Sequence, residues 1–416
     1  MMPITSDDNY GFTITYKNYY KVIENLFDKK KYCVVRCGQP KPDECPSDGT
    51  FSNITSVSID KGAYGVIPFL ELIGVDNYIV NSDLSLGASP CFGSKQKTPN
   101  ITFTTQGNTT SGTSVSFSAQ RNDLTPLQKA AWLQYVGAFF EKELSAAKML
   151  AYINTFYKCH KDNLGYQSTQ KTVAWTSYDP QQNAFTIYQD SFFNELVKDA
   201  GGRLVAPNTA QNNVYLMNNT VHGSLFLTAL NGADYILDMS STSLTYDNWI
   251  TPINGTTHVT VAGLPPAIVN NNIYSVNRLV KKDVSDWTQR AAARPDMVLL
   301  DLMHLLYPTM EMPSNNYPIW ITHFSNTNGT EYEHEIDASK YGTCGNIASN
   351  AFEDTRCSPN GHRGTIQAKP LTPGDKAGIS VGTIIAGILA ALAGVWLFKR
   401  YRRRQRRHQF YKMQEL

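Results

Sequence analysis

Eight histidines, seven cysteines and six Asn-x-Thr triplets are the residues of this chain whose chemistry is most directly legible from type and spacing. No two histidines share one expected helix at ligand spacing, and no Cys-x-x-Cys occurs, so the donor pattern of a structural zinc site is missing. HExxH and the phosphate-cradling P-loop are also missing. The expectation is a protein that is not an enzyme, with no catalytic residue, no metal ligand and no intrinsic cofactor. The run Glu331, Glu333, His334, Glu335 and Asp337 offers oxygen and imidazole donors. It reads instead as the solvated face of a hairpin. His304 falls in an apolar helix, as a core histidine does. Asp296, in Arg294-Pro295-Asp296, opens that helix and is expected to serve its N-terminal amides.

Cys344 and Cys357 enclose a short Gly/Asn/Ser-rich loop and are expected to pair, a closure worth about 2–4 kcal/mol. Cys33, Cys37, Cys45, Cys91 and Cys159 leave one thiol over, and their connectivity is not readable. The sequons begin at Asn53, Asn100, Asn108, Asn218, Asn254 and Asn328, mostly in Asn/Thr/Gly-rich turns, and imply a glycoprotein of the eukaryotic secretory route.

Residues 378–398 read GISVGTIIAGILAALAGVWLF, without a charge. At about 1.5 Å per residue they span the roughly 30 Å hydrocarbon core of a bilayer. The tail from Lys399 onward carries eight basic residues against Glu415, which keeps it cytoplasmic, near anionic lipid. With a total charge of +2, the rest of the chain is mildly acidic, so nucleic acid is not an expected partner. The expected location is the plasma membrane, single-pass with the ectodomain outside; the arginine run leaves an endomembrane location open. The start, MMPITSDDNY, has no basic n-region and no apolar h-region, so a signal peptide is expected to be missing from this sequence. The alternative is a tail anchor with the large domain in the cytosol.

Phe12, Ile14 and Tyr16 alternate, as do Tyr32, Val34 and Arg36, and together suggest a leading β-hairpin. VSID from Val57, the helical AYGVIPFLELIG and then DNYIVNS form a strand–helix–strand unit with a parallel pair. A further strand is expected at Val115–Ser118. Thr125, Pro126 and Gln128 give an N-cap, a first-turn proline and a capping-box glutamine. Leu133, Val136, Phe140, Leu144 and Ala147 then continue one long amphipathic helix toward Lys161. TVAWTSY, RLVA, DYILDMSS and NIYSVN read as strands, DSFFNELVKDAGG and GSLFLTALNGA as helices, and ARPDMVLLDLMHLLYP as a closing helix. The expected organisation is an N-terminal α/β lobe (11–124), an inter-lobe helix (125–163), a C-terminal α/β lobe (171–313) and a β-rich disulfide appendix (314–368). A stalk (369–377), the transmembrane helix (378–398) and the basic tail (399–416) follow.

Two parallel-sheet lobes joined by a long helix resemble the class III periplasmic substrate-binding proteins, which capture ferric siderophores, haem and cobalamin, with one branch taking zinc or manganese. VSIDKGAYGVIPFLELIGVDNYIVN is similar to that family's first strand–helix–strand. TVAWTSYDPQQNAFTIYQDSFFNELVKDAGGRLVA resembles the opening of its second lobe, and NNIYSVNRLVKKDVSDWTQRAAARPDMVLLDLMHLLYP its C-terminal strand and helix. The hairpin before Val57, the appendix and the anchor depart from the pattern. The resemblance implies a ligand held between the lobes, at the loops leaving the strand C-termini. Those loops contain Asp60 and Tyr64, Asn81 and Asp83, Tyr178 and Asp179, Ser240 and Ser241, and Asn277 and Arg278, with Trp175, Tyr188 and Trp249 nearby. Tyr64, Trp175, Tyr178, Tyr188, Trp249 and Arg278 are the candidate ligand-binding set: aromatic walls with one cation, suited to a flat or anionic chelate. The function implied is a cell-surface receptor for a metal chelate, a ferric siderophore first, with iron arriving as the bound chelate and leaving through a permease or reductase. The alternatives are a zinc or manganese receptor of the same fold, or a signalling or adhesive protein that has lost the ligand.

Overall fold

A computed structural model of the chain describes residues 10–80, 87–89, 98–105, 113–164, 170–206, 213–256, 264–281, 284–314, 316–324, 334–335 and 355–358. The N-terminal segment alternates apolar and polar residues over three runs, β1 (Phe12–Tyr16), β2 (Tyr20–Asn25) and β3 (Lys30–Val35), joined as an antiparallel meander. The short β4 (Thr50–Phe51) adds in parallel to β3. The two expected strands are therefore β1 and β3, with β2 between them rather than a hairpin turn.

Next come β5 (Val57–Ile59), a 3-10 turn over Lys61–Val66 and α1 (Ile67–Leu72), where Pro68 sits in the first turn and Gly74 ends the unit at φ +71°. DNYIVNS contributes a 3-10 turn (Asp76–Tyr78) and one parallel bridge, Val57 to Ile79, instead of a full strand. The parallel partner of β5 is β6 (Ile101–Thr105), which the Ser/Thr/Asn-rich composition concealed, and β7 (Ser114–Phe117) pairs with β6.

The expected single inter-lobe helix is two helices, α2 (Pro126–Phe139) and α3 (Glu143–Leu164). Thr125 and Gln128 form the expected capping box. The break has a plain cause. Lys142 N donates back to Gly137 O at 3.0 Å, and Glu141 takes φ +56°, the six-to-one closure of a Schellman turn with a non-glycine residue in the left-handed position. Gly137 also lets the helices close up, since a Cβ there would lie 2.7 Å from the Ala146 Cβ. Leu144, counted into the apolar stripe, is 69% exposed. Phe12, Phe103, Phe117, Trp132, Tyr135 and Phe139 fill the core beneath α2, and α3 runs on from this core, through Leu150 and Ile153, to the second, through Tyr157.

The second lobe is built on β8 (Thr172–Asp179), β9 (Ala184–Tyr188), β10 (Arg203–Leu204), β11 (Val214–Leu216), β12 (Tyr235–Asp238) and β13 (Ile273–Ser275). β10, β12 and β13 run parallel to β8 or to each other, while β9 and β11 are antiparallel additions. Successive residues of the strands face opposite cores. Val173, Trp175 and Leu237 pack under α4 (Ser191–Asp199), while Ala174 and Ile236 pack under α5 (Thr220–Ala229), α6 (Tyr246–Thr256) and α7 (Pro266–Val269). β14 (Leu279–Lys281), β15 (Val284–Ser285), α8 (Asp286–Arg290) and α9 (Pro295–Leu306) follow, and α9 joins α4 on its face of the sheet. β16 (Thr322–His323) borders β13, and β17 (His334–Glu335) pairs with β14.

Asp296 does not cap α9. Both its oxygens are held by Arg294 (Nε 2.9 Å, Nη2 2.8 Å), the two residues being almost wholly buried. Cys357 pairs with Cys159 on α3, not with Cys344, and Cys33 pairs with Cys45. The appendix is not one separate unit either. Tyr317, Ile319, Trp320 and Ile321 belong to the second-lobe core, where Asp301 of α9 accepts the 319, 320 and 321 amides. Thr355–Ser358 lie against α3 and α9 through the disulfide, His160 and Asp296. Cys344, Glu331, Glu333, Asp337, the stalk, 378–398 and the tail lie outside the described residues. No described helix is long and apolar enough to cross a membrane.

Candidate functional site

Parallel strands present their C-terminal ends together, and in the second lobe these are the ends of β8, β12 and β13. Asp238 closes β12 and organises the edge. Its carboxylate accepts Thr176 Oγ1 at 2.9 Å, Trp249 Nε1 at 2.8 Å and Ser240 N at 2.9 Å, so β8, the next loop and α6 are pinned to one group. Burial raises its pKa, and those donors oppose the rise. Ser240 carries the order outward, accepting Tyr178 N at 2.7 Å on its hydroxyl and Asn277 Nδ2 at 2.8 Å on its carbonyl.

Around this frame lies a cavity of about 310 Å³ lined by Tyr178, Pro180 of the β8–β9 turn, Ser241, Ser243, Leu244, and Asn248, Thr251 and Pro252 of α6. The Tyr178 ring rests on Phe185, centroids 4.6 Å apart, and its hydroxyl donates to Asn183 at 2.8 Å, which fixes the ring as a wall. Burial raises the phenol pKa, aided by Asp179. Pro252 lies inside α6 and has no N–H for the Asn248 carbonyl four residues back. The lining thus offers hydroxyls, an amide and apolar faces, with no carboxylate, imidazole or thiol.

Of the six candidate residues, Tyr178 lines this cavity and the other five do not. Trp175 is fully buried against Trp287 (5.4 Å) and Phe193 (4.9 Å). Trp249 is fully buried with its N–H spent on Asp238, and Tyr64 belongs to the first-lobe core. Tyr188 is half-buried, its hydroxyl 3.0 Å from Ser177 Oγ. Arg278 donates to the Asn316 carbonyl at 3.3 Å, and its charge acts to lower the pKa of Asp301, which burial raises, and that of His304 on α9. His304 is half-buried and its Nδ1 makes no hydrogen bond, so it is not a fully satisfied core histidine; burial lowers its pKa, and so does Arg278. Asn248, Thr251 and Pro252 escaped the sequence reading because TYDNWITPINGT has a mid-helix proline and no clean apolar stripe.

Between the two lobes, α8 packs against α1 and against the 3-10 turn that follows β5. Arg290 of α8 sets Nη1 2.8 Å from Glu71 Oε2 of α1 and its Nε 3.1 Å from Asp286 Oδ2, all three side chains buried. Gln289 accepts the Ala88 amide, Lys281 donates to the Ser89 carbonyl, and Trp320 Nε1 donates to Asp286. Desolvation raises the Glu71 pKa, with Arg290 pulling the other way. Among the described residues no group of three His, Cys, Asp or Glu could hold a metal ion. Asn81 and Asp83 lie outside them.

No family model matches the chain. No curated protein matches it. Among solved structures it is similar to an ABC transporter substrate-binding protein from Listeria monocytogenes EGD-e, at 14% identity over 62% of this chain and 100% of that one, TM-score 0.42. It is similar to a periplasmic heme binding protein from Pseudomonas aeruginosa, at 11% identity over 66% and 99%, TM-score 0.44. A periplasmic solute binding protein from Veillonella parvula shares 11% identity over 70% and 87%, TM-score 0.42. Each of those three is described as a binding protein. At these identities and TM-scores the likeness is one of general layout, and no ligand transfers with it.

Proposed function

We propose that the protein is a binding protein that takes up an intact metal chelate, a ferric siderophore first among them, and works as a cell-surface receptor passing its cargo to a permease or reductase. The observation that carries the reading is the chemistry of the cavity at Tyr178. It lies at the C-terminal ends of parallel strands, where α/β sheets bind ligands, and its walls combine an aromatic ring and two prolines with hydroxyls and an amide. Such a lining suits a ligand that brings its metal already wrapped. A bare zinc or manganese ion needs imidazole, thiolate or carboxylate donors, and the lining holds none.

The test is calorimetric titration of the purified protein with ferric hydroxamates, haem, cobalamin and bare Zn²⁺ or Mn²⁺. One of the chelates is expected to bind, and Asn248→Ala and Tyr178→Ala each to weaken it roughly tenfold, the worth of one ordinary buried hydrogen bond or ring contact. Arg278→Ala, outside the lining, should leave the affinity unchanged. Tight binding of a bare ion with no chelate bound, or full affinity in both cavity variants, would sink the reading.

A further inference from the structure

Val214 and Leu216 of β11 and Val221 at the start of α5 are 39%, 38% and 63% exposed. Only five large hydrophobic side chains among the described residues are exposed, so three of them gather within eight consecutive positions. The local pattern is that of a strand with one buried face, since Tyr215 between the two exposed residues is fully buried. β11 is also the terminal strand of its sheet among the described residues, paired on one side with β9. An apolar strand at a sheet edge pairs readily with other chains, and proteins block such edges with charge, proline or bulky cover. No Lys, Arg, Asp, Glu or Pro lies between Val214 and Val221. What does lie there is Asn218, which with Asn219 and Thr220 forms a sequon.

The two neighbouring asparagines differ in what they do. Asn219 is the N-cap of α5, its Oδ1 accepting Val221 N at 3.0 Å and His222 N at 3.4 Å. Asn218 is exposed, and its side-chain amide makes no hydrogen bond among the described residues. The Asn218 amide is therefore free to carry a substituent without giving up a bond of the fold.

We propose that Asn218 bears an N-linked glycan whose structural work is to cover the β11–α5 edge and keep the protein from associating through it. In the modification, Nδ2 attacks the anomeric carbon of a lipid-diphosphate-linked oligosaccharide. The C–N bond forms, the anomeric C–O bond to the lipid diphosphate breaks, and the amide loses one proton. The first sugar then starts two residues beyond Leu216 and three before Val221, on an exposed residue of the turn between β11 and α5. The inference is independent of what the Tyr178 cavity binds.

The full-length chain, made in a eukaryotic secretory cell with two different epitope tags, tests it. Glycopeptide mass spectrometry should find Asn218 occupied, and wild-type copies should not capture one another in detergent extracts. Asn218→Gln should lose one endoglycosidase-sensitive step in mobility and raise mutual capture severalfold. Adding Leu216→Ser and Val221→Ser to that variant should return capture to the wild-type level. An unoccupied Asn218 overturns the proposal. So does an Asn218→Gln protein that captures no more than wild type, or a triple variant that still self-associates, which would put the adhesion elsewhere or in misfolding.

Discussion

Lys129 shows how much one side chain can hide in a sequence. On α2 it reads as a polar position, yet it is 7% exposed, its Nζ 4.6 Å from the Phe192 ring centroid, and burial lowers its pKa to about 8, with Asp190 and Asp123 opposing. A lysine whose folded pKa lies below its unfolded value costs stability wherever it is charged in both states. Below about pH 8 the cost is full, and it disappears as the pH rises through 10.5. The gap corresponds to roughly 3 kcal/mol, against which the ring contact returns about 1. Lys129→Met should accordingly be more stable than wild type by about 2 kcal/mol at neutral pH. The difference should shrink steadily above pH 8, read by urea denaturation across that range. The same blindness to environment explains the site residues. Trp175, Trp249 and Tyr178 are all aromatic, and sequence cannot say which indole meets Asp238 or Trp287 and which phenol lines a cavity. Asp296 was read as a helix cap for the same reason: its bond to Arg294 is a matter of rotamers inside a closed core.

At the scale of elements the strands β5, β7, β8, β10, β12 and β13 and the helices α4, α5 and α9 were legible from their apolar runs and periodicity, several of them closed by Gly, Asn or Pro. Those that were not share a physical reason. β6 is Thr-rich and half its residues look like surface. β2 lies between lysines and asparagines. α6 carries Pro252. The inter-lobe helix failed in the other direction. Its apolar spacing runs on across the break because both helices bury a face, and the left-handed position that stops α2 holds Glu141 where glycine or asparagine would have announced it. That residue stores strain. Placing a non-glycine residue in the left-handed region costs about 1–2 kcal/mol, so Glu141→Gly should stabilise the protein by about 1 kcal/mol after the added freedom of the unfolded chain is counted. Thermal denaturation of the variant beside Glu141→Ala, which keeps the strain, separates the backbone effect from loss of the charge. Equal midpoints for the two would show that the turn is not strained.

Across the whole molecule the two cores are joined less by one rigid helix than by groups that belong to both lobes. Ala292 and Ala293 enter the first core, Ala88 enters the second, and Arg290 stands between with Glu71 on one side and Asp286 on the other. None of this was legible, because a buried ion pair spanning some 200 positions leaves no periodic trace. The arrangement makes the junction sensitive to the loss of Arg290. Arg290→Met would leave two carboxylates buried without it, which typically costs 3–5 kcal/mol, roughly, since the charges cannot return to water. The sign with pH then follows. Burial already raises the Glu71 pKa, and removing Arg290, which lowers it, must raise it further. A carboxylate with a raised folded pKa favours the fold while protonated and weakens it as the pH climbs through that value. The deficit of Arg290→Met should therefore be smallest in acid, near the ordinary glutamate value of 4.5, and grow as the pH rises. Adding Glu71→Gln should remove much of that slope, because one of the two charges is gone. Hydrogen exchange on the variant at neutral pH should show faster exchange in α1 and α8 first, the elements that meet at Arg290, with the β8–β12 centre of the second lobe still protected. A deficit independent of pH, or exchange that quickens everywhere at once, would mean that Arg290 supports the whole fold by packing rather than joining the lobes by charge.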